Sequence, residues 1–290
     1  MAFVHSTHAS GADYLSALAV SILPSNNWVA VKSSDSEIVF RLPHAQGYIA
    51  FIVAGDVCEI QAFQEYEPAV SAKQQAAGYN TAYSPFLPRF RVPAGAVEVW
   101  TLVSSRRVAA VIKSGDVWHS FYAGLMLPFG TNKTYPFPCF IGGSGQIGNA
   151  TYESAYPFFS GGDSYCPKVV LPDGQWQKVG GNAGGTSSFY SFPYSYAYSY
   201  VWPFDGKFQK LGSKLDGSAM LYQALVCSSG RVDAADALNA DDGKWLGYLD
   251  GVFAVSQGRA AGSVIEVDGV DYLVVPNVSK VSETYALRLS

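Results

Sequence analysis

The sequence predicts a mainly β protein: short-stranded antiparallel, sandwich-like sheets with one amphipathic helix near the amino terminus. Three observations predict it. Runs of six to nine residues rich in β-branched and aromatic side chains recur along the chain, each bounded by turn residues. Asp-Gly occurs six times after residue 170, beginning at 173, 205, 216, 242, 250 and 268, and both residues tolerate the positive φ of tight hairpins. Helical patterning is confined to two segments.

The first element is the helix. Leu15, Leu18 and Ile22 fall at helical spacing, Ser10 or Asp13 can cap the start, and Pro24 closes a segment of about three turns. The residues before it, with His5 and His8, read as a frayed terminus. Strands are expected at 37–42 (EIVFRL), 47–55 (GYIAFIVAG), 58–66 (CEIQAFQEY), 96–104 (AVEVWTLVS) and 108–114 (VAAVIKS). Residues 67–92 break the rhythm with three prolines and an Ala/Gln-rich patch, and read as a long loop or arm. Residues 117–130 suit one more strand, ended by Pro128.

In the second half, SVIEVDGVDYLVV reads as two strands hinged on Asp268-Gly269, and ETYALRL (283–289) as a last strand. RVDAADALNA (231–240) has helical composition but is short. The chain divides into 1–130, helix plus β, and 131–290, hairpin-rich β. No flexible linker marks the join, so a single domain is equally consistent.

SSFYSFPYSYAYSYVWPF (187–204) holds no charged residue. Tyr194, Tyr196, Tyr198, Tyr200, Trp202 and Phe204 share one parity, so in a strand their rings stand on one face. At ~150–250 Å² per ring, six rings could remove roughly 900–1,500 Å² from water. Such a face must be covered. The chain's own core, a neighbouring subunit and a glycan are the three covers to weigh; the tyrosine hydroxyls argue against a dry core. These six residues are the interface candidates.

Charged residues make up 14% of the 290, against roughly 25% in ordinary soluble domains. Charge depletion suits a surface of uncharged polar groups or one hidden against neighbours. Net charge is −4, without a basic stripe, so direct nucleic-acid binding has little electrostatic basis. No run of 18 apolar residues suggests a membrane span, and the amino terminus makes a poor signal peptide. Synthesis in the cytoplasm is expected. Cys58, Cys139, Cys166 and Cys227 lack zinc-site spacing and read as free thiols.

Motifs that could carry chemistry are weak. GSGQIG (143–148) has dinucleotide-loop spacing, but Pro157 and the absence of helical periodicity follow it. His119 could orient Ser120, yet no nucleophile elbow is present. Asp233, Asp236, Asp241 and Asp242 do not keep calcium-loop spacing. No catalytic residue, cofactor or metal site is assigned.

The segments 117–143 (VWHSFYAGLMLPFGTNKTYPFPCFIGG), 163–176 (DSYCPKVVLPDGQW), 246–257 (LGYLDGVFAVSQ) and 267–290, with the opening GADYLSALAVSI, resemble a set of tailed-bacteriophage virion proteins. The similarity runs in order over nearly the whole chain. It implies a particle component with other virion proteins as partners. Taken with the low charge, the uncharged aromatic segment and the β patterning, the expectation is a non-enzymatic structural component of the tail, baseplate or neck, present in several copies. A receptor protein for host surface glycan and a head decoration protein are the alternatives that the resemblance leaves open.

Overall fold

The computed structural model describes residues 2–43, 47–76, 78, 86–144, 157–158, 167–179, 199–202, 204, 218–228, 244–256, 259–276, 278 and 284–289. Its strands form three antiparallel sheets. The central sheet runs in the order β1 (Ala2–His8), β7 (Val97–Val103), β8 (Arg107–Ser114), β9 (Val117–Leu125), β11 (Cys139–Gly143), β12 (Lys168–Val170) and β13 (Trp176–Lys178). On one side lies a sheet of β2 (Val29–Ser33), β3 (Glu37–Arg41), β4 (Tyr48–Ala54), β5 (Val57–Phe63) and β6 (Arg89–Arg91). On the other lie β14 (Ser199–Trp202), β15 (Leu221–Ser228), β16 (Lys244–Val255), β19 (Thr284–Arg288), β18 (Val270–Pro276) and β17 (Val264–Val267), with β10 (Leu127–Pro128) paired to β16.

The central sheet is buried on both faces, and strand alternation decides which core each side chain enters. Along β8, Val108, Ala110 and Ile112 join a first core with Phe51, Ile60 and Phe90 of the amino-side sheet. Ala109 and Val111 join a second core with Val226, Leu249, Val252 and Tyr285 of the carboxy-side sheet. That is why the central strands read as unbroken apolar runs rather than alternating ones. Across the first core, Phe121 of β9 stacks on Phe90 and meets Phe51 edge-on, with centroids 4.5 and 5.5 Å apart. β9 pairs with β11 from Leu125–Cys139 onward, so the central sheet takes strands from both sides of residue 130.

The helix α1 (Gly11–Ala17) starts where expected: the Ser10 hydroxyl accepts from the Asp13 N–H at 3.1 Å. A π-helical turn over Leu18–Ile22 continues it, and left-handed Asn27 (φ 65°) ends the following 3-10 turn. Tyr14, Leu15, Leu18 and Ile22 seal one end of the first core.

Four readings differ from the sequence expectation. The strand expected over 117–130 is broken: β9 ends at Leu125, and Leu127–Pro128 form β10 in the carboxy-side sheet. The opening residues are not frayed: β1 holds His5 and His8 in a seven-residue register with β7, and Val4 packs on the first core. The 67–92 stretch carries a 3-10 turn at Ala72–Gln74 and the short strand β6. Its Gln75 amide bonds the Glu67 and Val70 carbonyls at 2.8 and 3.0 Å, while Ala72 and Leu87 cover the outer face of β3 and β4. Asp250-Gly251 is no hairpin but an irregularity inside the twelve-residue β16, whereas Asp173-Gly174 and Asp268-Gly269 do form turns.

That irregularity ties two sheets together. Arg107 of β8 is fully buried, with Nε 3.5 Å from Asp250 Oδ2 and an N–H donated to the Leu102 carbonyl at 3.0 Å. Ser104 Oγ donates to the same carboxylate at 3.4 Å, and the Asp250 N–H donates to Tyr122 Oη at 3.3 Å. A Cβ at Gly251 would overlap the Arg107 guanidinium, so the residue beside Asp250 has to be glycine.

Candidate interaction surface

Phe129 and Trp245, two of the exposed large apolar residues, line one concavity where β10 meets β16, and exposed Leu127 lies on β10 itself. Chain geometry forces this. Leu127 and Pro128 pair with Tyr248 and Gly247, and a Cβ at Gly247 would overlap the Leu127 carbonyl oxygen. The Phe129 N–H then donates to the Leu246 carbonyl at 3.1 Å, and its ring meets Tyr248 edge-on at 5.1 Å. In β16 the register to β15 skips Leu246: Val226 opposes Gly247, but Cys227 opposes Trp245. This bulge buries Leu246 and Gly247 consecutively and leaves Trp245 turned outward, 60% exposed.

Two further elements complete a concavity of about 760 Å³. Thr134 and Tyr135 come from a turn closed by N–H bonds to the Thr131 carbonyl at 2.9 and 2.8 Å. Burial raises the Tyr135 phenol above its ordinary pKa, and its hydroxyl donates to the Val170 carbonyl. Pro172 comes from the β12–β13 turn, shaped by Gly174 at φ 84° and by Asp173 Oδ1 accepting from the Gln175 N–H at 3.0 Å. The lining is Phe129, Gly130, Thr134, Tyr135, Pro172, Trp245 and Leu246, none of them charged. Such a surface can take up apolar or ring-shaped groups, and among the described residues its lining offers no charge to hold an ion.

Only part of the aromatic row is described. Tyr194, Tyr196 and Tyr198 lie outside the described residues. Tyr200 and Trp202 stand on the edge strand β14, opposite Cys227 and Leu225, and their side chains are likewise outside what is described. Phe204 is buried against Phe158 and Tyr285, with centroids 5.2 and 6.4 Å apart. A turn, with the Phe204 N–H on the Val201 carbonyl at 2.8 Å, ends the strand and brings Phe204 into the same core as Val201. The alternation of β14 therefore does not carry on to residue 204, and this ring is covered by its own chain.

His119 and Ser120 do not form a dyad. They sit on opposite faces of β9: Ser120 exchanges backbone and hydroxyl bonds with Ser144, its N–H 2.7 Å from Ser144 Oγ. Burial, with a smaller contribution from the Arg91 charge, pushes the His119 pKa down to about 4. His5 instead bonds Glu98 at 3.0 Å and stacks on Trp100. His44, the aspartates between 233 and 242, and Gln146–Gly148 lie outside the described residues. Gly143 closes β11 rather than opening a phosphate loop. Among the described residues, no three His, Cys, Asp or Glu side chains gather as a metal site, and no helix is long and apolar enough to cross a membrane.

The concavity was missed in the sequence because its parts are far apart and individually ordinary. The one local cue was Leu127-Pro128-Phe129-Gly130, apolar residues at the place where a strand had to stop. No family model matches the chain, and no curated protein matches it significantly.

Proposed function

We propose that the chain is a non-enzymatic structural subunit of a tailed-phage particle, placed in the tail, baseplate or neck and acting by protein–protein assembly. The observation that carries this reading is the uncharged concavity at the β10–β16 junction, where Trp245 and Phe129 are 60% and 55% exposed. Rings so presented leave apolar surface in water, and uncharged, ring-rich patches are what interface cores use. The resemblance to virion proteins supports the kind of assembly. Three of its segments supply the lining: 117–143 gives Phe129 to Tyr135, 163–176 gives Pro172, and 246–257 gives Leu246, with Trp245 adjoining.

Quantitative mass spectrometry of purified particles dissociated in denaturant tests it. The chain should be present in a fixed number of copies above one, and its absence from washed particles overturns the proposal.

The outward Trp245 also favours a second reading, recognition of host surface glycan by ring stacking. Purified protein would then block adsorption to host cells, and Trp245→Ala would abolish the block. Unchanged adsorption at saturating protein disposes of that reading.

A further inference from the structure

Sheet edges invite unwanted pairing, and proteins close them with charge, proline, bulges or short strands. Among the described residues the three sheets show six edges, and five of them are closed in that way. β2 is bulged between Ala30 and Lys32. β6 and β13 are three residues long and carry Arg89, Arg91 and Lys178. β14 and β17 are four residues long; Pro203 follows one, and exposed Glu266 lies on the other.

β1 has none of these devices. It is seven residues long, pairs with β7 without interruption from Ala2 to His8, and contains no proline, lysine, arginine, aspartate or glutamate. Among the described residues, no backbone group is paired with its outer side. Phe3, on that strand, is 40% exposed.

We propose that β1 is a docking strand for a second copy of this chain. Two β1 strands pair antiparallel about a two-fold axis and join two central sheets into one continuous sheet. The occupant follows from the other edges. In a neighbouring copy they are bulged, charged or short, so the one described edge that matches β1 in length and neutrality is β1 itself. Self-pairing is also closed: it satisfies both open edges at once and leaves none for a third copy.

Full overlap of residues 2–8 fixes the register. His5 lies on the axis opposite its counterpart, Phe3 faces Thr7, Val4 faces Ser6, and Ala2 faces His8. In this register the half-buried side chains Ala2, Val4, Ser6 and His8 stay on one face, and the exposed Phe3, His5 and Thr7 stay on the other. A slip of one residue would mix the two. No lysine, arginine, aspartate or glutamate meets its like across the axis. The paired strands bury less than the roughly 1,600 Å² of a standard interface, so the dimer belongs to the weak, concentration-dependent class. The inference stands apart from the particle reading and needs only the purified chain.

Sedimentation of the full chain from about 1 to about 500 µM spans the range expected of so small an interface. The main species should move from 31.1 kDa to twice that mass. Phe3→Lys with Thr7→Lys sets like charges opposite each other twice in this register and should weaken the dimer at least about tenfold. Phe3→Glu with Thr7→Lys sets unlike charges there and should restore it. His5→Cys in a Cys166→Ser background should form a disulfide between copies, because directly opposed residues have Cα atoms about 4.5–5.5 Å apart. A monomer at every concentration overturns the proposal. So does a dimer that ignores the like-charge pair, or one weakened equally by both charge pairs.

Discussion

Asp250→Ala is the sharpest test of how the sheets are held together. Arg107 is 0% exposed on the second-core side of β8, and the Asp250 carboxylate 3.5 Å away is 22% exposed. Removing one partner of a buried ion pair costs about 3–5 kcal/mol, because the charge left behind cannot regain its hydration. Neutral acceptors such as the Leu102 carbonyl, at 3.0 Å, still hold the guanidinium in the variant. The loss is therefore expected near the lower end, about 3 kcal/mol. At about 2–4 °C per kcal/mol, the melting midpoint should fall by roughly 6–12 °C. Arg107→Met should cost less, about 1–2 kcal/mol: it fills most of the volume, and the Asp250 carboxylate can turn to water. Circular dichroism melts and urea titrations of both single variants and the double variant give the coupling directly. A cost below about 1 kcal/mol for Asp250→Ala, or a larger cost for Arg107→Met, refutes the reasoning.

Four other outcomes are expected. The folded His119 pKa near 4 lies below the unfolded value of about 6.5, so stability is complete above about pH 6.5 and falls by up to about 3 kcal/mol as pH drops towards 4; His119→Leu should flatten that slope in acid titrations followed by fluorescence. Gly124→Ala, at φ 142° with a Cβ overlapping the Arg106–Arg107 backbone, should cost at least about 2 kcal/mol in denaturant melts. If the chain assembles through the concavity as proposed, Trp245→Ala with Phe129→Ala should change stability by under about 1 kcal/mol yet abolish its capture from particle extracts in a pull-down. Cys58, Cys139 and Cys227 are buried, and burial raises the Cys58 and Cys139 thiols above their ordinary pKa, so a thiol reagent should label these three only after denaturant is added.

Much of the fold was legible because local pattern and tertiary position agreed. β3, β4, β7 and β8 lie within a residue of where β-branched runs and turn residues put them, β5 and β9 begin where expected but end three and five residues early, and Ser10 caps the helix as its position suggested. The misses share one cause: they depend on a partner strand rather than on their own residues. Ala2–His8 looks like a loose polar terminus until β7 is laid beside it. Asp250-Gly251 has the chemistry of a hairpin, but Arg107 lies under it and both flanking segments pair with β15, so the turn opens into a strand irregularity. Trp245 faces water because of a bulge one residue on, which no period-2 reading anticipates. The aromatic row was a parity argument, and it holds only while the chain remains a strand.

Low charge had two accounts at the outset, an uncharged polar exterior or hidden contact surface, and the architecture supplies a third. A central sheet buried on both faces needs apolar residues at most positions of β8 and β9. A charge content of 14% is then partly the cost of three stacked layers and does not by itself call for companions. On the two readings proposed above, the need for partners is local instead. It falls at two places, which the strand order puts at opposite ends of the central sheet: β1 is one edge, and Pro172 of the concavity lies in the turn joining the last two strands at the other. A two-fold contact at one end leaves the other free for a different protein, so charge variants at Phe3 and Thr7 should leave concavity binding intact, and Trp245→Ala should leave the dimer intact. Loss of both functions in either variant would mean that the two surfaces are one interface.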